Sequence, residues 1–94
     1  MRRAARVDAN HGEIVKALRA CGCTVLDASG LGGGFPDLVV GCQGRTVLME
    51  VKDGSKVPSA RKLTDAQVQM HAAWNGGPLV VVCDVKSAMQ AISL

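Results

Sequence analysis

The stretch GFPDLVVGCQGRTVLMEVKDG, residues 34–54, decides how this chain is read. Two apolar runs, Asp37-Leu-Val-Val and Thr46-Val-Leu-Met, flank Gln43-Gly44, the pattern of a β-hairpin closed by a two-residue turn. With that turn, Cys42 faces Arg45, Val40 faces Val47, Leu38 faces Met49 and Asp37 faces Glu50. Directly opposed residues share a face of the sheet about 5 Å apart at Cβ. Alternation then puts Lys52 on the face of Glu50, while Leu38, Val40, Val47, Met49 and Val51 collect on the other as a core side. Three charges are gathered into one corner of an otherwise apolar hairpin. A register slip of one residue would undo the arrangement.

Two opposed carboxylates repel unless a cation lies between them. Lys52 is one candidate and a divalent metal is another. Hard Mg²⁺ takes oxygen ligands, often one or two carboxylates with waters and substrate phosphate, and the Val51 carbonyl lies between Glu50 and Lys52. The plain alternative is a salt bridge at a strand end.

Outward from the hairpin, Ile14, Val15, Leu18 and Cys21 fall at helical spacing and Gly22 ends the pattern, predicting a helix over 9–21. Asn10 stands at its N-cap position and Glu13 in its first turn, where a carboxylate complements the helix dipole. Strands are expected over 23–28, 37–42 and 45–52. Residues 53–62 read as a loop with three cations, Lys56, Arg61 and Lys62. Thr64-x-x-Gln67 is a capping box opening a second helix that runs to about Trp74. Leu79 to Cys83 suits a strand buried on both faces, and Asp84 caps a last helix over 85–93. The order αβββαβα predicts an α/β fold with a mixed central sheet and helices on both sides.

Bulk properties set the limits. Ninety-four residues make one domain, and a 48% hydrophobic, 20% charged composition is that of a folded chain. Eleven basic against eight acidic residues give a net charge of +3, which permits an anionic partner. No apolar run approaches a membrane span and no secretory segment is read at the start, so a soluble cytoplasmic protein is expected. Cys21, Cys23, Cys42 and Cys83 do not match a zinc knuckle and are expected to be reduced, mostly buried hydrophobes. Gly32 to Gly34 lack the Lys-Ser/Thr of a P-loop, so no nucleotide cofactor is expected. Those glycines either let a phosphate chain approach Asp37 or form a flexible loop. With Phe35 and Trp74 as the only aromatic side chains, base stacking on single strands is disfavoured.

Pro36-Asp37, twelve intervening residues, then Glu50-Val51-Lys52 resembles the PD-(D/E)XK nuclease signature. The wider pattern is similar to the VRR-NUC branch, especially its small stand-alone phage-type members. It comprises Glu13, Gly32-Gly33-Gly34-Phe35-Pro36-Asp37, Glu50-Val51-Lys52-Asp53-Gly54, Arg61 to Gln67 and His71, and it spans residues 10–94. The resemblance implies a restriction-endonuclease-like αβββαβ core with a short C-terminal helix. It also implies Mg²⁺ or Mn²⁺ held by Asp37, Glu50 and the Val51 carbonyl, with Glu13 completing the site directly or through water.

Asp37, Glu50, Lys52 and Gln67 would be catalytic, with Lys52 in an electrostatic role beside the reacting phosphate. Gln67 is either a cap or a site residue, and His71 either a packing residue or a DNA contact. Lys56, Arg61 and Lys62, with Arg2, Arg3 and Arg6, are the candidate phosphate contacts. The implied activity is an endonuclease selective for branched or four-way DNA, working as a homodimer in a phage or bacterial cell. A non-catalytic DNA-binding module on the same fold and a plain interaction domain are the alternatives.

Overall fold

The computed structural model describes residues 9–93; Arg2, Arg3 and Arg6 lie outside them. Three helices, α1 (His11–Ala20), α2 (Asp65–Ala73) and α3 (Val85–Ile92), accompany four strands: β1 (Thr24–Asp27), β2 (Leu38–Cys42), β3 (Arg45–Val51) and β4 (Leu79–Val82). A 3-10 turn at Pro58–Arg61 occupies the expected cationic loop.

The hairpin forms in the expected register, with Leu38 opposite Met49, Val40 opposite Val47 and Cys42 opposite Arg45. Gln43 and Gly44 both take positive φ, 53° and 80°. Two successive positive φ values are the signature of a type I′ turn, whose twist matches the flanking strands and so fixes the pairing. Strand order is β1-β2-β3-β4, with β1, β2 and β3 antiparallel and β4 parallel to β3. The parallel pair requires a crossover, which the segment containing α2 provides.

One face of the sheet makes the core. Leu38, Val40, Val47, Met49, Val51 and Val82 pack there against Ile14, Val15 and Leu18 of α1 and Ala88 of α3. Gly22, at φ 90°, ends α1: its N–H bonds Arg19 O and the Cys23 N–H bonds Leu18 O, a Schellman closure. Asn10 makes no side-chain cap. Its amide instead donates to Lys52 O (3.2 Å) and Cys83 O (2.8 Å), tying the start of α1 to the ends of β3 and β4. The Cys83 carbonyl also accepts from the Gly54 N–H at 3.1 Å, so the end of β4 is held from two sides.

Two expectations are corrected. β4 is not buried on both faces, since Val81 is 48% exposed. It is the edge of the sheet, and α2 buries no residue against it. Nor are the cysteines mostly buried: Cys23 is, Cys42 and Cys83 are half-buried, and Cys21 is exposed. All four are free thiols.

Candidate active site

Alternation along β3 turns Met49 and Val51 toward the core and Glu50 toward the opposite face. There Glu50 is 1% exposed. A carboxylate so removed from water requires polar partners, and α2 brings them. Gln67 Nε2 donates to Glu50 Oε2 at 3.0 Å, while Gln67 Oε1 accepts from Lys52 Nζ at 2.8 Å. One amide therefore links the acid and the amine that the strand presents two residues apart.

The capping box forms as well. Thr64 Oγ1 accepts from the Gln67 N–H, and Gln67 Oε1 also accepts from the Thr64 N–H at 2.9 Å. The same side chain closes the cap and reaches Lys52 and Glu50, because a carbonyl oxygen has two lone pairs and the amide nitrogen is left over for Glu50.

Asp37 stands one residue before β2, beyond the Leu38–Met49 pair, and so is adjacent to Glu50 in register. Its Oδ2 accepts from the Val51 N–H at 2.8 Å, which holds the carboxylate against the backbone between Glu50 and Lys52. His71, one helical turn after Gln67, places Nε2 3.9 Å from Glu50 Oε1, and its side chain is 17% exposed. It faces the site. Burial first, and then the Lys52 charge, hold its imidazole below the ordinary histidine range, so it is neutral at pH 7.

The glycine run has a use that no motif announced. Gly34, at φ +79°, lies so close to the start of α2 that a Cβ there would press on the Ala66 carbonyl group, 2.5 Å from its carbon and 2.9 Å from Gln67 N. The absent side chain at 34 is what admits the N-terminus of α2 to the sheet. Sequence reasoning offered a phosphate path or a flexible loop at this position. A bare close approach between segments distant in sequence leaves no local signal.

The other expected residues lie farther out. Glu13 is exposed in the first turn of α1 and lines a cleft of about 410 Å³ with Asn10, Asp53, Ser55 and Asp84. Among the described residues, no group of three or more His, Cys, Asp or Glu could hold a metal ion, so Glu13 is not drawn in beside Asp37 and Glu50. Asp53, also in this cleft, accepts from the Ser55 N–H and hydroxyl, and those bonds hold its carboxyl below the usual range. Lys56 and Lys62 are exposed, and Arg61 Nε donates to Lys56 O at 3.0 Å. All three cations border the 3-10 turn that leads into α2.

The donor set at the end of β3 fits a hard divalent cation. Asp37, Glu50 and the Val51 carbonyl offer only oxygen, and Glu50 is a buried carboxylate set in a polar corner. Two carboxylates with room for waters is the usual complement for Mg²⁺, which keeps much of its hydration.

A mixed four-stranded sheet flanked by three helices, with Pro-Asp at the head of one hairpin strand and Glu-x-Lys at the end of the other, is a restriction-endonuclease-like α/β fold. A solved structure described as "VRR_NUC domain" superposes with a TM-score of 0.64 at 26% identity, covering 90% of this chain and 96% of its own. The family model "Archaeal holliday junction resolvase (hjc)" matches residues 3–88. The chain belongs to that family, whose members are nucleases of junction DNA. No curated protein matches. Among the described residues no helix is long and apolar enough to cross a membrane.

Proposed function

We propose that this protein is a Mg²⁺- or Mn²⁺-dependent endonuclease that hydrolyses phosphodiester bonds in branched or four-way DNA. The observation that carries the reading is the hydrogen-bonded chain Lys52–Gln67–Glu50, with Asp37 fixed on the Val51 N–H beside it. It concentrates an acid pair and an amine on one sheet face, where apolar packing would otherwise be expected.

In this reading Asp37, Glu50 and the Val51 carbonyl would hold the ion, and Glu13, in its separate cleft, has no part in it. A bound divalent ion supplies Lewis acidity toward a phosphate oxygen and a more acidic bound water. The chain's own residues do the rest. The Val51 N–H keeps Asp37 from turning away. Gln67 fixes the Glu50 carboxylate and aims the Lys52 ammonium toward the face where a phosphate would lie. Lys52 then offsets the negative charge that grows on the phosphoryl oxygens as water attacks phosphorus and the P–O bond to the leaving strand breaks. His71, neutral and beside Glu50, closes the far side of the carboxylate. Lys56, Arg61 and Lys62 contact the DNA backbone.

A junction with two-fold symmetry calls for two cuts, so a homodimer supplies one site per strand. Leu26, 63% exposed, and Val81 leave apolar surface on the α2 side of the sheet that a second copy would cover. The setting is intracellular.

The test is cleavage of four-way, branched and linear DNA with Mg²⁺, Mn²⁺ or chelator, repeated with Asp37→Ala and Lys52→Ala. Metal-dependent cutting of the junction should fall by roughly 10²–10³-fold or more in each variant. Binding without cutting under every metal would convert the proposal to a non-catalytic module.

A further inference from the structure

On the helix side of the sheet, at the end of β2 remote from Asp37, two cysteines face each other. The β1–β2 register pairs Thr24 with Gly41 and Val25 with Val40, so Cys23 falls opposite Cys42 at the next step. The Ala28 N–H donates to Asp37 O, which makes 28/37 a hydrogen-bonded pair. Alternation then makes 26/39 and 24/41 hydrogen-bonded pairs, and 27/38, 25/40 and 23/42 non-hydrogen-bonded ones. Opposed residues at a non-hydrogen-bonded position have Cα atoms about 4.5 Å apart, inside the roughly 4.4–6.8 Å span of disulfides. The two thiols are near enough for each to weigh on the other's ionisation.

We propose that Cys23 and Cys42 form a redox-active pair that closes reversibly into a cross-strand disulfide, with a low-molecular-weight disulfide of the glutathione class as oxidant. The two thiols divide the work by exposure. Cys42 is half-buried and reachable, whereas Cys23 is 6% exposed. Burial, and then the neighbouring Cys42 thiol, push Cys23 up to about 11, so it is the slower nucleophile.

Cys42 as thiolate attacks one sulfur of the oxidant, forms a mixed disulfide and releases one thiolate. Cys23 loses its proton and attacks the Cys42 sulfur, expelling the second thiolate. Two thiols of the protein are oxidised and one disulfide is reduced to two thiols, so protons and electrons balance. The bond closes residues 23–42, a segment that includes Gly34 and Asp37, and it constrains that segment without passing through the site.

Incubation of the whole protein with oxidised glutathione, then denaturing alkylation with iodoacetamide and intact-mass measurement, tests this. The reduced protein takes four alkyl groups; the oxidised protein should take two, with peptide mapping assigning the bond to Cys23–Cys42. Its melting temperature should rise by on the order of 10 °C, and a thiol reductant should reverse the rise. Cys23→Ser should trap the intermediate as a stable glutathione adduct on Cys42, and Cys23→Ala provides the same readout should the serine variant not fold. Four alkylations after oxidation, a bond involving Cys21 or Cys83, or an adduct that never closes in the unaltered protein would each overturn the proposal.

Discussion

Gly34→Ala is the substitution in which fold and site should fail together. The added methyl would sit 2.5 Å from the Ala66 carbonyl carbon and 2.9 Å from Gln67 N, where ordinary contact begins near 3.4 Å. Either the 33–35 segment or the first turn of α2 must retreat by roughly 0.5–1 Å. Overpacking of this kind costs about 1–3 kcal/mol, and the left-handed backbone at φ +79° adds about 1–2 kcal/mol for a residue with Cβ. Reduced freedom of the unfolded chain returns about 0.4–1 kcal/mol, so a net loss of about 2–4 kcal/mol is expected.

The bonds from Gln67 to Lys52 and Glu50, at 2.8 and 3.0 Å, do not survive a shift near 1 Å. A misplacement of that size costs on the order of 10²-fold in rate. Gly33→Ala is the matched control, because it has the same left-handed backbone, φ +67°, and nothing within 4 Å of its Cβ. It should lose about 1 kcal/mol and keep nearly full turnover. Urea melts and single-turnover junction cleavage measure both variants side by side. Equal stability and equal rates for the two would refute the argument that bare approach at 34 positions α2.

Three further outcomes are expected. Asn10→Ala removes the donor to Lys52 O and Cys83 O and should destabilise the protein by about 1–3 kcal/mol in denaturant melts. Asp27→Asn tests a pH effect. Burial pushes the Asp27 carboxyl up, but hydrogen bonds from Ser29 and His11 together outweigh it and hold the carboxyl below its ordinary value. A depressed folded value means the contribution is complete above about pH 4, the unfolded value, and disappears as pH falls through the folded one. The side chain is 49% exposed, so wild type and variant should differ by under about 1 kcal/mol at pH 7 and converge as pH falls through the folded value in thermal melts. Replacing Lys56, Arg61 and Lys62 together by alanine should weaken junction binding. The slope of log affinity against log salt should fall by about 1 for each phosphate no longer neutralised, and an unchanged slope would place the DNA elsewhere.

The hairpin was legible because its information is local. Alternating valines and leucines, a two-residue turn and a period of two fix which side chains share a face, and that was enough to place Glu50 and Lys52 together with Asp37 adjacent. Helix ends at Gly22, Thr64 and Asp84 were legible for the same reason, since each is set by backbone conformation or bonds within a few residues. Asn10 misled, because its side chain had a local option and took a distant one.

What the chain's order of residues determined by itself is the set of elements, the faces of the hairpin and the chemical types available at its end. The tertiary structure alone decided that α2 stands over Glu50, that Gln67 closes its cap and also bonds Glu50 and Lys52, that His71 turns toward Glu50, and that Glu13 opens on a separate cleft. These facts depend on contacts between segments 15 to 71 residues apart in the chain. Local propensity and periodicity carry no term for such distances; packing and the pairing of buried polar groups do.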